Sequence, residues 1–169
     1  MTELTMQSGR QIESNRRIRL EICYEGGDES LMQSWLGGQL TFRPQGQGDL
    51  GEKIQRAFHR AFQTGAKRVV IIGTDCPDLT AEILEDAFNA LLPRDVVIGP
   101  AQDGGYYLIG LSRLIPELFE EIEWGGDKVF AQTICKAREV GARFELLVQL
   151  SDVDRPEDLE AYKTRLPVE

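Results

Sequence analysis

The chain has 169 residues, a formal net charge of −9, three cysteines and one histidine. That length normally builds one domain with a buried core, read here as 1–169, and the acidic balance disfavours a nucleic-acid backbone or an anionic membrane surface as partner. No apolar run approaches the roughly 20 residues of a transmembrane helix, no signal-peptide pattern opens the chain, and Cys23, Cys76 and Cys135 have no paired spacing, which points to a reducing, cytoplasmic compartment.

Residues 1–16 show weak periodicity and are expected as a frayed helix. Arg17 to Tyr24 alternates as a strand. Asp28 is placed to cap a short helix carrying Leu31, Met32, Trp35 and Leu36, which Gly37 ends. Gln39 to Arg43 reads as a second short strand. Asp49 to Gln63 reads as a helix with Ile54, Ala57, Phe58, Ala61 and Phe62 on one face. Val69-Val70-Ile71-Ile72 is fully apolar and β-branched, the pattern of a buried strand in a parallel sheet. Thr80 is set to cap a helix striped by Ile83, Leu84, Ala87, Phe88, Leu91 and Leu92. Asp95 to Gly99 and Tyr106 to Leu111 read as strands. Val129 to Ala137 reads as a helix, Phe144 to Leu150 as a strand, and Pro156 opens a last helix. Strands alternating with helices imply a mostly parallel sheet covered on both faces.

Four constellations can carry chemistry. Asp75 follows the apolar run Val69 to Ile72, at the strand end where open α/β sheets bind ligands. A carboxylate there is costly to desolvate without a cation, so a Mg²⁺–phosphate site is the first hypothesis; the plain alternative is turn and cap chemistry through Asp75, Pro77 and Asp78. Cys76 beside it reads as a small buried thiol. Gln45-Gly46-Gln47-Gly48-Asp49-Leu50-Gly51 matches G-x-G-x-x-G on paper. Its preceding strand is short and polar, so the match reads better as a glycine-rich loop that lets backbone approach a nucleotide, or as a plain loop. Asp103-Gly104-Gly105-Tyr106-Tyr107 brings backbone near a ligand beside two tyrosines, or forms a tight turn into a strand. Asp152 and Asp154 alternate toward one face, while Asp154, Pro156 and Glu157 also make a helix N-terminus signature. His59 lies off its helix's apolar face and builds no Ser-His-Asp arrangement.

Taken together, Gln45 to Gly51, Gly73 to Leu79, Gly99 to Leu111, Trp124 and Asp152 to Leu159 resemble a bacterial glycosyltransferase-like family, the radical-SAM/selenodomain-associated transferases of the nucleotide-diphospho-sugar transferase superfamily. The resemblance covers the chain from about Arg17 onward. It implies a GT-A-type α/β fold with a mixed, mostly parallel sheet. It implies that Asp75 and Asp154 hold Mg²⁺ or Mn²⁺ with Asp152 as a helper, that Gln45, Gly46, Gly48, Asp49 and Gly51 face the nucleotide, and that Asp103, Gly104, Gly105 and Tyr106 meet the sugar or acceptor. Relatives begin with an apolar central strand and a basic phosphate loop. This chain shows neither, so either the start lies upstream of Met1 or the element is lost.

The reading is a transferase for a nucleotide or nucleotide-sugar and a small-molecule acceptor, glycosyl- or nucleotidyl-transferring, with Asp75 and Asp103 in catalytic roles and no nucleic-acid or membrane partner. The alternatives are a degenerate, non-catalytic ligand-binding or scaffold protein and, behind it, an NAD-dependent oxidoreductase. Without a first strand, the strand from Arg17 to Tyr24 is expected to shift onto Val69 to Ile72. Pairing across the gap by a second subunit in a homodimer is the next expectation, and filling by residues Met1 to Ser14 the last.

Overall fold

The computed structural model describes residues 2–15, 18–153 and 162. The local signals act as read. Asp28 accepts from the Leu31 N–H to cap α2 (Glu29–Leu36), and Gly37 closes it. Asp49 and Glu52 form a reciprocal capping box on α3 (Leu50–Gln63), two orphan helix donors satisfied at once. Thr80 caps α4 (Ala81–Ala90). Residues 2–15 form a full helix, α1 (Thr2–Asn15), rather than a frayed one. The helix α5 (Val129–Glu139) begins at the expected residue. A 3₁₀ turn at Pro116–Phe119, unmarked in the sequence reading, leads toward it. The expected helix at Pro156 lies outside the described residues.

The strands are β1 (Glu21–Tyr24), β2 (Thr41–Pro44), β3 (Val69–Ile72), β4 (Val96–Pro100), β5 (Tyr106–Leu111) and β6 (Phe144–Leu146). They form two sheets, β1-β2 and β3-β5-β4-β6. β1 and β2 are parallel, as are β4 and β6. β5 runs antiparallel to both its neighbours, because the short connection from β4 allows a hairpin but not a crossover. The architecture is therefore α/β with a mixed sheet and helices on both faces.

The central finding is a pairing that does not form. Among the described residues β1 pairs with β2 and β3 with β5, and β1 does not pair with β3. The expected shift of the Arg17 to Tyr24 strand onto Val69 to Ile72 is thus not seen among the described residues, and residues 2–14 are helical and supply no strand. The reason lies in two helices that grip both sheets. On one face, Arg60 of α3 donates to Glu21 of β1 at 2.7 and 3.1 Å, while Phe58 and Phe62 of the same helix pack with Val69 and Ile71. On the other, Met6 of α1 packs with Leu20 and Ile22, and Ile12 with Val70 and Ile72. Sliding β1 onto β3 would break both sets of contacts. The consequence is a corrected reading of Val69 to Ile72: all four residues are only partly buried.

The core proper lies on either side of β4 and β5. Val96, Ile98, Ile109 and Leu111 face Phe58, Leu118, Phe119 and Ile134. Val97 and Leu108 face Leu84, Ala87 and Leu91 of α4.

Candidate functional site

Three connections meet at the carboxyl edge of the larger sheet. The turn after β3 is tied to β5, Gly73 N–H donating to the Tyr107 carbonyl at 2.9 Å. The connection from β4 to β5 is closed by Ala101 N–H on the Gly105 carbonyl at 3.1 Å. The segment after β6 crosses both: Leu150 N–H reaches the Pro100 carbonyl at 3.1 Å, Gln102 N–H the Leu150 carbonyl at 3.0 Å, and Val153 N–H the Asp75 carbonyl at 2.9 Å. Asp75, Asp103 and Asp152 therefore come from distant parts of the chain to one edge.

Cys76 shows how tight this convergence is. Its side chain is buried, and its thiol is pushed up to about 12, first by burial and then by the negative charges of Asp75, Asp152, Asp103 and Asp78. Four aspartates thus add to the negative field at one buried thiol, a field that a cation would relieve. The Asp75 carboxylate turns back over Gly73, its Oδ1 2.7 Å from where a Cβ on Gly73 would stand. Asp103 Oδ1 accepts from Gly105 N–H at 2.8 Å, which fixes the loop. The donor set suits Mg²⁺ or Mn²⁺ in kind, being hard carboxylate oxygen. Among the described residues no three His, Cys, Asp or Glu side chains are gathered closely enough to hold an ion by themselves. Such an edge fits the ion that keeps one or two carboxylates and completes its shell with phosphate and water. Asp154, the second expected ligand, lies outside the described residues; its chain neighbour Val153 is the residue bonded to Asp75.

The glycine-rich loop, at the end of β2 in the smaller sheet, is pinned. Gln45 donates its backbone N–H to the Tyr24 carbonyl at 2.8 Å and its side chain reaches the Cys23 carbonyl. Arg56 of α3 donates to the carbonyls of Gln45 and Gln47, holding the loop through its oxygens. Gly46 and Gly48 take positive φ angles of 83° and 113°. The loop follows β2, whose one partner among the described residues is β1, whereas a dinucleotide-binding fingerprint follows a central strand at a topological switch point. Arg56 was not singled out from the sequence; an arginine nearly two turns into the helix after a glycine loop was the available signal.

Trp124 links the loops. Its indole covers Gly51 so closely that a Cβ there would stand 2.6 Å from Nε1, and it meets Tyr106 edge-on with centroids 6.5 Å apart. Next along, Phe130 N–H donates to the Gly104 carbonyl at 2.9 Å. The 124–130 stretch thus joins the start of α3 to the Asp103-Gly104-Gly105 turn. Tyr106 is packed, with its hydroxyl enclosed beside Thr133. Asp49 caps α3 with its carboxylate.

Residues 7–126 match the family DUF2064, described as an uncharacterized protein conserved in bacteria. The chain belongs to that family. A candidate nucleotide-diphospho-sugar transferase from Desulfovibrio desulfuricans G20 is similar in structure, with 38% identity, a TM-score of 0.86, and coverage of 93% of this chain and 70% of that one. A 4-diphosphocytidyl-2C-methyl-D-erythritol synthase matches with 14% identity and a TM-score of 0.64, over 96% of this chain and 86% of that one. Glucosyl-3-phosphoglycerate synthase from Mycobacterium tuberculosis, solved with Mg²⁺ and uridine diphosphate, matches with 15% identity and a TM-score of 0.55, over 86% and 64%. No curated protein matches the chain. The fold of this DUF2064 member is therefore that of the nucleotide-diphospho-sugar transferases, the GT-A type. Among the described residues no helix is long and apolar enough to cross a membrane.

Proposed function

We propose that this DUF2064 protein is a nucleotide-dependent transferase, passing a glycosyl or nucleotidyl group to a small-molecule acceptor with Mg²⁺ or Mn²⁺. The observation that carries the reading is the meeting of Asp75, Asp103 and the Asp152-bearing segment at one sheet edge, bonded together through Val153 and Asp75. The solved relatives support it, since one of them is described with Mg²⁺ and uridine diphosphate.

In this reading Asp75 and Asp154 hold the cation, with Asp152 beside them. Bound there, the cation would neutralise the leaving phosphate. The pinned loop from Gln45 to Gly51 brings backbone against the nucleotide, and Gly104 and Gly105 let the acceptor approach Asp103. Asp103 is the candidate base, its carboxylate fixed by the Gly105 N–H. The edge presents carboxylates, so binding of a nucleotide's phosphates depends on the cation.

The test is a thermal-shift panel of UTP, CTP, GTP, UDP-glucose and NAD, each with Mg²⁺ or with EDTA. The reading expects one nucleotide to raise Tm by about 5 °C or more at saturating ligand, with Mg²⁺ and not with EDTA, and expects Asp75→Asn to abolish the shift. Stabilisation by NAD without metal, or no effect of any nucleotide, overturns it.

A further inference from the structure

We propose that Tyr107 is a positioning residue for the acidic edge, its hydroxyl fixing the segment that brings Asp152 to Asp75. Tyr107 is 2% exposed, and its hydroxyl donates to the Val148 carbonyl at 2.9 Å. The ring reaches that carbonyl by crossing the neighbouring strand at Gly99, where a Cβ would overlap it. The register of β4 against β5 shifts at this point, between Gly99 and Pro100. A glycine and a strand irregularity together open a path by which a core tyrosine reaches the segment outside the sheet.

That segment needs holding. Leu146 is 46% exposed and Val148 58%, and only Leu147 and Leu150 pack against the core, each partly buried. The segment is laced by polar bonds: Leu147 N–H to the Ile98 carbonyl at 2.9 Å, Gln149 Nε2 to the Ala101 carbonyl at 3.2 Å, then Leu150 and Val153 as described. Tyr107 adds the bond anchored in the core. Burial, and then Cys76 nearby, push its hydroxyl up to about 12, so it stays a neutral donor throughout the physiological range. Without this bond the Val148 carbonyl, on an exposed stretch, turns to water. The segment then keeps its edge bonds but loses its fixed depth, and Asp152 its fixed place beside Asp75. Support of this kind, one shell behind the charged groups, sets how well a site grips a cation.

The consequence for the cation rests on the transferase reading above; the clasp itself does not. Both are measured on the full chain and on Tyr107→Phe, by amide hydrogen exchange and by Mn²⁺ binding in the presence of UTP. Tyr107→Phe keeps the ring and is expected to melt within about 3 °C of wild type. Leu150 and Val153 amides are expected to exchange about tenfold faster, and Mn²⁺ to bind about tenfold more weakly. Unchanged exchange at Leu150 and Val153 overturns the clasp. So does faster exchange throughout β4 and β5 with a large fall in Tm, which marks a general core role. Asp75→Asn is the separate control. If wild type binds no Mn²⁺, or Asp75→Asn binds it equally well, the transferase reading fails while the exchange result still decides Tyr107.

Discussion

Val69-Val70-Ile71-Ile72 and Val96-Val97-Ile98-Gly99 are nearly the same words in one sheet, and they end in different places. In β4, Val96, Val97 and Ile98 are wholly buried. In β3 each of the four residues is partly exposed. β4 has a strand on each side, β5 and β6, whereas the described partner of β3 is β5 alone. Composition sets which residues favour burial, but the number of neighbouring strands decides whether they obtain it. Among the described residues one flank is closed by strands on both sides, and the other is a seam where β1 and β3 do not pair, bridged by α1 and α3.

The sharpest test of that contrast is a pair of truncations. Ile98→Ala on β4 is expected to cost about 3–4 kcal/mol in urea unfolding, and Ile71→Ala on β3 about 1–2 kcal/mol, because a partly exposed site leaves a smaller cavity. Equal costs would mean that the seam is filled in solution. The second test reads the backbone directly. Gly73 N–H bonds β5, so by alternation the Val70 and Ile72 N–H groups point to the seam. They are expected to exchange about 100-fold faster than Val97. Slow exchange that loosens on dilution would instead reveal a second subunit covering the edge, the homodimer considered from the sequence.

Much of the helix and strand pattern was legible because its signals are local. Asp28, Asp49 and Thr80 each cap the helix they precede. Tyr106 to Leu111 forms a strand with those bounds, since β-branched and aromatic residues follow a glycine turn. The seam was not legible as it stands, because it depends on which strands meet, and that is decided by Arg60, Met6 and Ile12 from distant helices. At the site, the approach of Asp75 to the 150–153 segment followed from both lying after strands. The Tyr107–Gly99 crossing and the cover of Trp124 over Gly51 are contacts between residues far apart in sequence, and no periodicity announces them.

Smaller effects probe how the two flanks are joined. Gly51→Ala places a methyl group against the Trp124 indole, which ties the start of α3 to the closed flank. We expect a loss of about 1–2 kcal/mol and a change in Trp fluorescence; an unchanged spectrum would mean the indole moves freely. On the closed flank, Asp95 receives the Arg143 N–H at 2.9 Å and the Arg143 side chain at 3.2 Å. The Arg143 side-chain bond first, then its backbone bond, hold Asp95 below the ordinary carboxylate range. A depressed folded pKa means stabilisation that is present above the unfolded value of about 3.9 and lost as pH falls through the folded one. Asp95→Asn should therefore be less stable at pH 7 by under about 1 kcal/mol, with the difference closing as the pH falls through the lowered Asp95 pKa. A difference that persists in acid would assign the effect to packing rather than charge.

The account turns on Asp75 as a cation ligand at the sheet edge, and anomalous diffraction tests this most directly. Crystals of the full chain grown with Mn²⁺ and UTP should show an anomalous peak at roughly 2.0–2.6 Å from a carboxylate oxygen of Asp75, on the side facing the 150–153 segment. A bound nucleotide with its Mn²⁺ away from Asp75, or a nucleotide on the Gly46–Gly51 loop with no metal at all, would contradict it.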